Sequence, residues 1–194
     1  MNSSNSQLTK KLVITAMLTA LVVILQFASM NLRFSMFSIT LTLVPIVLGA
    51  ALCGVSAGAW LGFVFGVIVL LTGDAAAFLA VNIPGTIITV LVKGTACGLF
   101  AGLVYKALSR LNKYLAVAAA ALASPIANTG IFLIGCKIFF MPTITEWALG
   151  LGFGDNVGKY MIVGLVGINF LIELGINVVL SPVIVRLINI RNNY

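Results

Sequence analysis

Hydrophobic residues run along this chain in long unbroken stretches, and polar residues appear mainly as short punctuation between them. The first stretch, Lys11 to Met30, reads KLVITAMLTALVVILQFASM. At ~1.5 Å of rise per residue, a helix of that length crosses a hydrocarbon core of ~30 Å. Further stretches follow at about 39–53, 55–72, 84–109, 114–140 and 159–188. The apolar residues are continuous and do not alternate with period two, so the pattern predicts helices and not a barrel. The expected fold is an all-α integral membrane protein: one domain over residues 1–194, a compact bundle of six transmembrane helices with both termini cytoplasmic.

The punctuation adds detail. Met1 to Thr9 is a polar tail, and NLRFSMFS, with Arg33, suits an interfacial loop. The first stretch is longer than the ~7–15 apolar residues of a signal peptide, so it is read as a permanent helix. Pro45 predicts a kink or broken turn in the second stretch. GVSAG at 54–58 reads as a tight turn, and Gly58, Gly62 and Gly66 form a GxxxGxxxG face that permits close helix packing. Residues 73–85, GDAAAFLAVNIPG, read as a loop that dips back against the bundle. Pro84 begins the fourth helix, where a missing N–H costs nothing. The turn RLNK leads into a fifth helix that carries Pro125. Residues 141–158, MPTITEWALGLGFGDNVG, read as a Gly-rich capping loop with an interfacial piece around Trp147.

Composition strengthens the membrane reading. The chain is 61% hydrophobic and 8% charged, with a mean hydropathy of +1.20, whereas soluble domains are about 45–50% apolar and about 25% charged. A net charge of +7 would suggest nucleic acid in a soluble protein, but here the basic residues flank apolar runs and serve as orientation signals, so no nucleic-acid partner is expected. Lys10, Lys11, Lys106, Arg110, Lys113, Arg186 and Arg191 fall on one side. Arg33 and Lys159 fall on the other with Asp74, Glu146 and Asp155. That bias places both termini in the cytoplasm of a cell-membrane protein.

Catalytic chemistry finds little to work with. The four acidic residues are scattered over separate segments and His is absent, so no paired carboxylates, activated nucleophile or metal cluster can be assembled. Cys53, Cys97 and Cys136 lie in apolar segments without a CxxC, which points to packing. No catalytic residue, metal or cofactor is expected, and without a Gly-rich GK[ST] motif the chain does not itself hydrolyse ATP. A channel is disfavoured because polarity fades toward the cytoplasmic ends of the later helices.

The ionisable groups inside the spans are Lys93, Lys137 and Glu173, and charge at mid-bilayer costs at least ~2.5–3.5 kcal/mol. Helix rise places Lys93 about 14 Å and Asn169 about 15 Å below the outer surface, with Asn128 at a similar level. Three polar side chains from three helices thus converge at one depth, as in a small-molecule pocket open to the outside. Asn169, Glu173 and Asn177 form a polar stripe on one face. A structural ion pair between Lys93 and Glu173 is the competing reading. Lys137 either contacts ligand or snorkels to the headgroups. Asn82, Asp74 and Trp147 either cap the pocket or have ordinary loop and interface roles.

Several of these features together resemble a known family. Ala16 and Ala20 form an A-x-x-x-A pair; Thr40 to Gly66 reads TLTLVPIVLGAALCGVSAGAWLGFVFG; Lys93 and Gly94 form a Lys-Gly pair. Over nearly the whole chain the sequence resembles the substrate-binding S components of energy-coupling factor (ECF) vitamin transporters. The resemblance implies a subunit that captures a vitamin at the outer face. It also implies docking, through Ala16 and Ala20, on a membrane coupling subunit driven by two ATPases, with toppling carrying the substrate inward. Its second-to-third helix pattern is most similar to pantothenate-type and riboflavin-type members. Lys93 and Lys137 favour an acid such as pantothenate, whose hydroxyl and amide groups suit asparagines. Riboflavin, folate or another vitamin is the alternative substrate, and a stand-alone ion-coupled secondary transporter the alternative class. Binding and coupling are expected at opposite ends of the bundle.

Overall fold

Residues 3–30 and 40–192 are described by the computed structural model, with side chains described from 6 to 30 and 40 to 190. The expected interfacial loop with Arg33, the start of the second stretch at Ile39 and the Arg191 side chain lie outside the described residues. Nine α-helices are found among them: α1 Ser3–Ser29, α2 Leu43–Cys53, α3 Val55–Leu71, α4 Ala76–Leu79, α5 Ile83–Leu108, α6 Lys113–Phe139, α7 Met141–Gly150, α8 Val157–Lys159 and α9 Gly167–Asn192. A π-helical turn, Tyr160–Leu165, joins the last two.

Among the described residues, four helices are long and apolar enough to cross a membrane, over Ser6–Ser29, Ile83–Leu108, Lys113–Phe139 and Gly167–Ile190. The other two expected spans are shorter. α3 has 17 residues and α2 only 11, a length of about 16 Å. Thr40 to Thr42 precede α2 as a turn, so Pro45 falls in the first helical turn and satisfies the rule that missing N–H groups are harmless there. The kink expected at Pro45 is replaced by a helix start. The turn expected over 54–58 shrinks to one residue: Gly54 takes φ 104°, a left-handed conformation that a side chain disfavours, and α3 begins immediately after it.

Glycine spacing decides how α3 and α5 meet. Gly58, Gly62 and Gly66 on α3 lie against Gly98, Gly94 and Val90 on α5, backbone to backbone, and Gly102 meets Val55. A Cβ at Gly58 would sit 2.6 Å from the Gly98 carbonyl oxygen, and one at Gly66 would sit 2.9 Å from that of Val90. The second half of this interface is itself a GxxxGxxxG run, Gly94, Gly98 and Gly102. Small residues at four-residue spacing are what allow two helix backbones to touch without a polar partner.

Around that axis α1 packs on α2 and α3 through Leu18 and Val22, which join Leu43, Ile46, Leu61 and Phe65 in one buried cluster. At the end holding Val117, Ile184 and Ile188, α6 and α9 pack with α2. At the other end an aromatic cluster gathers Phe78, Phe132, Phe140 and Tyr160. The expected re-entrant loop at 73–85 contains the single turn α4 between Gly73, at φ 73°, and Asn82, whose side chain caps α5 by accepting from the Gly85 N–H at 2.9 Å. The expected loop at 141–158 is helical over its first ten residues: Pro142 sits at the start of α7, and the chain reverses only at Gly152 and Gly154, both with positive φ.

Candidate functional site

Lys93 owes its position to its neighbour in sequence. Gly94 holds α5 against α3, and on α3 Phe65 stands beside Gly66 in the same interface. The Lys93 ammonium therefore reaches into the space between helices, 5.8 Å from the Phe65 ring centre and 5.3 Å from that of Phe132 on α6. Such cation–π contacts hold a charge in low-dielectric surroundings without neutralising it.

The space it reaches is a cavity of about 50 Å³ between α3, α5, α6 and α9, lined by Lys93, Asp74, Asn128, Asn169 and Glu173 together with Phe65, Phe132 and Phe170. Helices α6 and α9 run antiparallel, which Val117 and Ile184 meeting at one end and Asn128 and Glu173 sharing the cavity at the other establish. Glu173, 5% exposed, accepts the Thr40 backbone N–H at 3.2 Å. One turn along, the Asn177 amide donates to the Glu173 carbonyl oxygen at 2.8 Å. Asn128 is 4% exposed, and its Oδ1 has no hydrogen-bond partner among the described residues. Lys93 and Glu173 thus share the cavity, Lys93 beside two aromatic rings and Glu173 accepting a backbone N–H.

The structure therefore brings together Lys93, Asn128, Asn169 and Glu173, and adds Asp74 from the segment before α4. It does not bring in the other expected residues. Lys137 is exposed near the end of α6, outside the cavity lining. Nine residues beyond Asn128, it lies two and a half turns on and so points to the opposite face. Asn82 is spent on capping α5. Trp147 packs edge-to-face on Phe78, with ring centres 5.5 Å apart, in the aromatic cluster instead of the cavity. Ala16 and Ala20 are exposed on the face of α1 turned away from α2 and α3. The aromatic and apolar part of the lining was mostly missed, since Phe65, Val69, Val166 and Phe170 carry no signal that separates them from ordinary span residues. Cys53, Cys97 and Cys136 are buried free thiols, and Cys97 donates to the Gly94 carbonyl at 2.9 Å within the glycine interface.

One cation, two carboxylates, two amides and flanking aromatic faces suit reversible binding of a polar molecule. Residues 10–185 match the profile of one family, described as ECF transporter, substrate-specific component. The chain belongs to that family. No curated protein and no solved structure gives a match. An ECF substrate-specific component is a multi-pass membrane protein that binds the substrate for the transporter and is not an enzyme. Its partners are the ECF module and, as substrate, a vitamin. The several long apolar helices agree with that placement.

Proposed function

We propose that this S component binds a small water-soluble vitamin bearing a carboxylate, pantothenate being the first choice, in the cavity around Lys93. The observation that carries the reading is the convergence of Lys93, Asn128 and Asn169 from three helices on one cavity. In this reading Lys93 meets the ligand carboxylate. Asn128, with its unpartnered Oδ1, takes a hydroxyl or amide proton, and Asn169 and Glu173 complete the polar wall.

The same proposal sets the chain in the membrane as six crossings with both termini in the cytoplasm, α2 completing the second crossing with the residues before it. The cavity opens outward, and the exposed Ala16–Ala20 face of α1 docks on the coupling subunit, whose two ATPases drive import. Vitamin binding to the purified protein tests the site directly. Lys93→Ala and Asn169→Ala are each expected to lower affinity for pantothenate at least tenfold, as read by isothermal titration. Unchanged affinity in both folded variants refutes the assignment. Native mass spectrometry of the freshly purified chain identifies a co-purifying vitamin, and one without a carboxylate refutes the pantothenate choice.

A further inference from the structure

Beside the polar cavity lies a second, water-sized one of about 20 Å³. The two share Val69, Asp74, Lys93 and Phe132, so Lys93 stands at their junction. The second lobe is aromatic. Phe78 stands edge-on to Phe132 with centres 5.4 Å apart and edge-on to Phe140 at 4.9 Å, and Val90 and Thr89 form the α5 side.

Thr89 breaks a rule that its neighbours keep. In helices the hydroxyls of Thr15, Thr19, Thr86, Thr95 and Thr145 all donate to the carbonyl four residues back, at 2.7–2.8 Å, the usual way to satisfy a hydroxyl inside a membrane helix. Thr89, 4% exposed, does not, and its Oγ1 has no hydrogen-bond partner among the described residues. A buried hydroxyl without a partner is unfavourable wherever water is excluded. Gly135 on α6 leaves room for this side chain: a Cβ there would run into Thr89.

We propose that the vitamin site continues past Lys93 into this lobe, and that Thr89 hydrogen-bonds the far end of the ligand. The inference rests on the reading of the Lys93 cavity as the vitamin site and specifies the substrate class. The ligand is elongated. One end is polar and acidic, seated among Lys93, Asn128 and Asn169. The other end is a small group, about the size of a water molecule, that reaches between Phe78 and Phe140 and carries one hydrogen-bonding atom for Thr89. Phe78, delivered by the single turn α4, closes the lobe, and the pocket thereby selects on both length and polarity.

The test uses the detergent-purified full chain. Pantothenate, riboflavin, folate, biotin and thiamine are titrated against it, and the one that binds is carried forward with Thr89→Val, Thr89→Ser, Gly135→Ala and Lys93→Ala. Thr89→Val keeps the shape and removes the hydroxyl, so a loss of roughly 2- to 10-fold is expected. Thr89→Ser restores wild-type affinity, and Gly135→Ala weakens binding by driving Thr89 into the lobe. As a second measurement, Thr89→Cys is labelled with a small methanethiosulfonate reagent and read by intact mass against the parent, whose own cysteines are buried. Saturating vitamin is expected to slow that labelling. Wild-type affinity in Thr89→Val, or unprotected labelling, alongside a loss in Lys93→Ala, overturns the second lobe and leaves the Lys93 site standing. If no vitamin in the panel binds the wild type, the functional reading fails and this inference with it.

Discussion

Placing one methyl group on Gly94 tests both the packing axis and its connection to the site. A Cβ at this position would lie 2.5 Å from the Gly62 carbonyl oxygen and 3.2 Å from both the nitrogen and Cα of Gly66. All three are backbone atoms, so no side chain can swing aside. Ordinary contact begins near 3.4 Å, and Gly94→Ala must therefore force α3 and α5 apart by about 1 Å. Overpacking of this kind costs ~1–3 kcal/mol. Alanine is also the better helix former by ~1 kcal/mol, which a comparison with wild type alone would mix in. Gly130→Ala removes that ambiguity: Gly130 lies within α6 with open space where its Cβ would be, so it shares the propensity gain without the clash. A thiol-reactive fluorescent dye can follow thermal unfolding, because all three cysteines are buried and react only as the bundle opens. At about 2–4 °C per kcal/mol for a chain of this size, Gly94→Ala is expected to melt roughly 2–12 °C below Gly130→Ala. Vitamin affinity should fall too, since Lys93 and Phe65 ride on the displaced helices and binding geometry tolerates only about 0.5 Å. A Gly94→Ala melting point at or above that of Gly130→Ala refutes the glycine contact.

Three further outcomes follow from where residues sit. Asn82→Ala removes the α5 cap and should lower stability by ~0.5–2 kcal/mol in the same unfolding assay, with vitamin affinity unchanged. Lys137→Ala should leave binding by titration as it is, because the side chain is exposed and outside the cavity lining; a tenfold loss would return Lys137 to the site. Ala16→Trp or Ala20→Trp should abolish vitamin uptake by the reconstituted complex while the isolated chain still binds, and a loss of binding would show that the stripe serves internal packing.

The polar lining of the candidate cavity was legible because a charge or amide inside an apolar span demands a reason, and because helix rise turns a position in sequence into a depth. Lys93, Asn128, Asn169 and Glu173 were found in that way. Facing was harder than depth: Lys137 shares a helix with Asn128 but turns away from it. The aromatic lining carried no comparable signal, since Phe65 or Phe170 in an apolar run is as fit for lipid or core as for a ligand. The partner of the GxxxGxxxG on α3 was readable by the same spacing rule, as Gly94, Gly98 and Gly102 repeat it. The helix α7 was hidden by glycine content, because the glycines that end it, Gly150 and Gly152, gave the whole segment the look of a loop.

The Lys93 cavity and the Ala16–Ala20 face, proposed for vitamin binding and docking, were expected at opposite ends of the bundle, and the structure separates them differently. Helix α1 runs beside α2 and α3, with the Cys53 thiol at the end of α2 3.7 Å from the Lys11 carbonyl oxygen and the Trp60 indole N–H on α3 donating to the Thr19 hydroxyl at 3.3 Å. Ala20, next to Thr19, is therefore near the level of Trp60, while the glycine contact sets Gly62 level with Gly94. By helix rise, Ala20 lies within about one turn of Lys93 along the bundle, and Ala16 about one turn further from the cavity. The two surfaces are divided chiefly across the width of the bundle, and α3 stands between them. One face of α3 gives Trp60 to α1; another gives its glycines to α5; Phe65 on the same helix lines the cavity. The glycine contact between α3 and α5 is thus what sets Lys93 and Phe65 beside the candidate cavity.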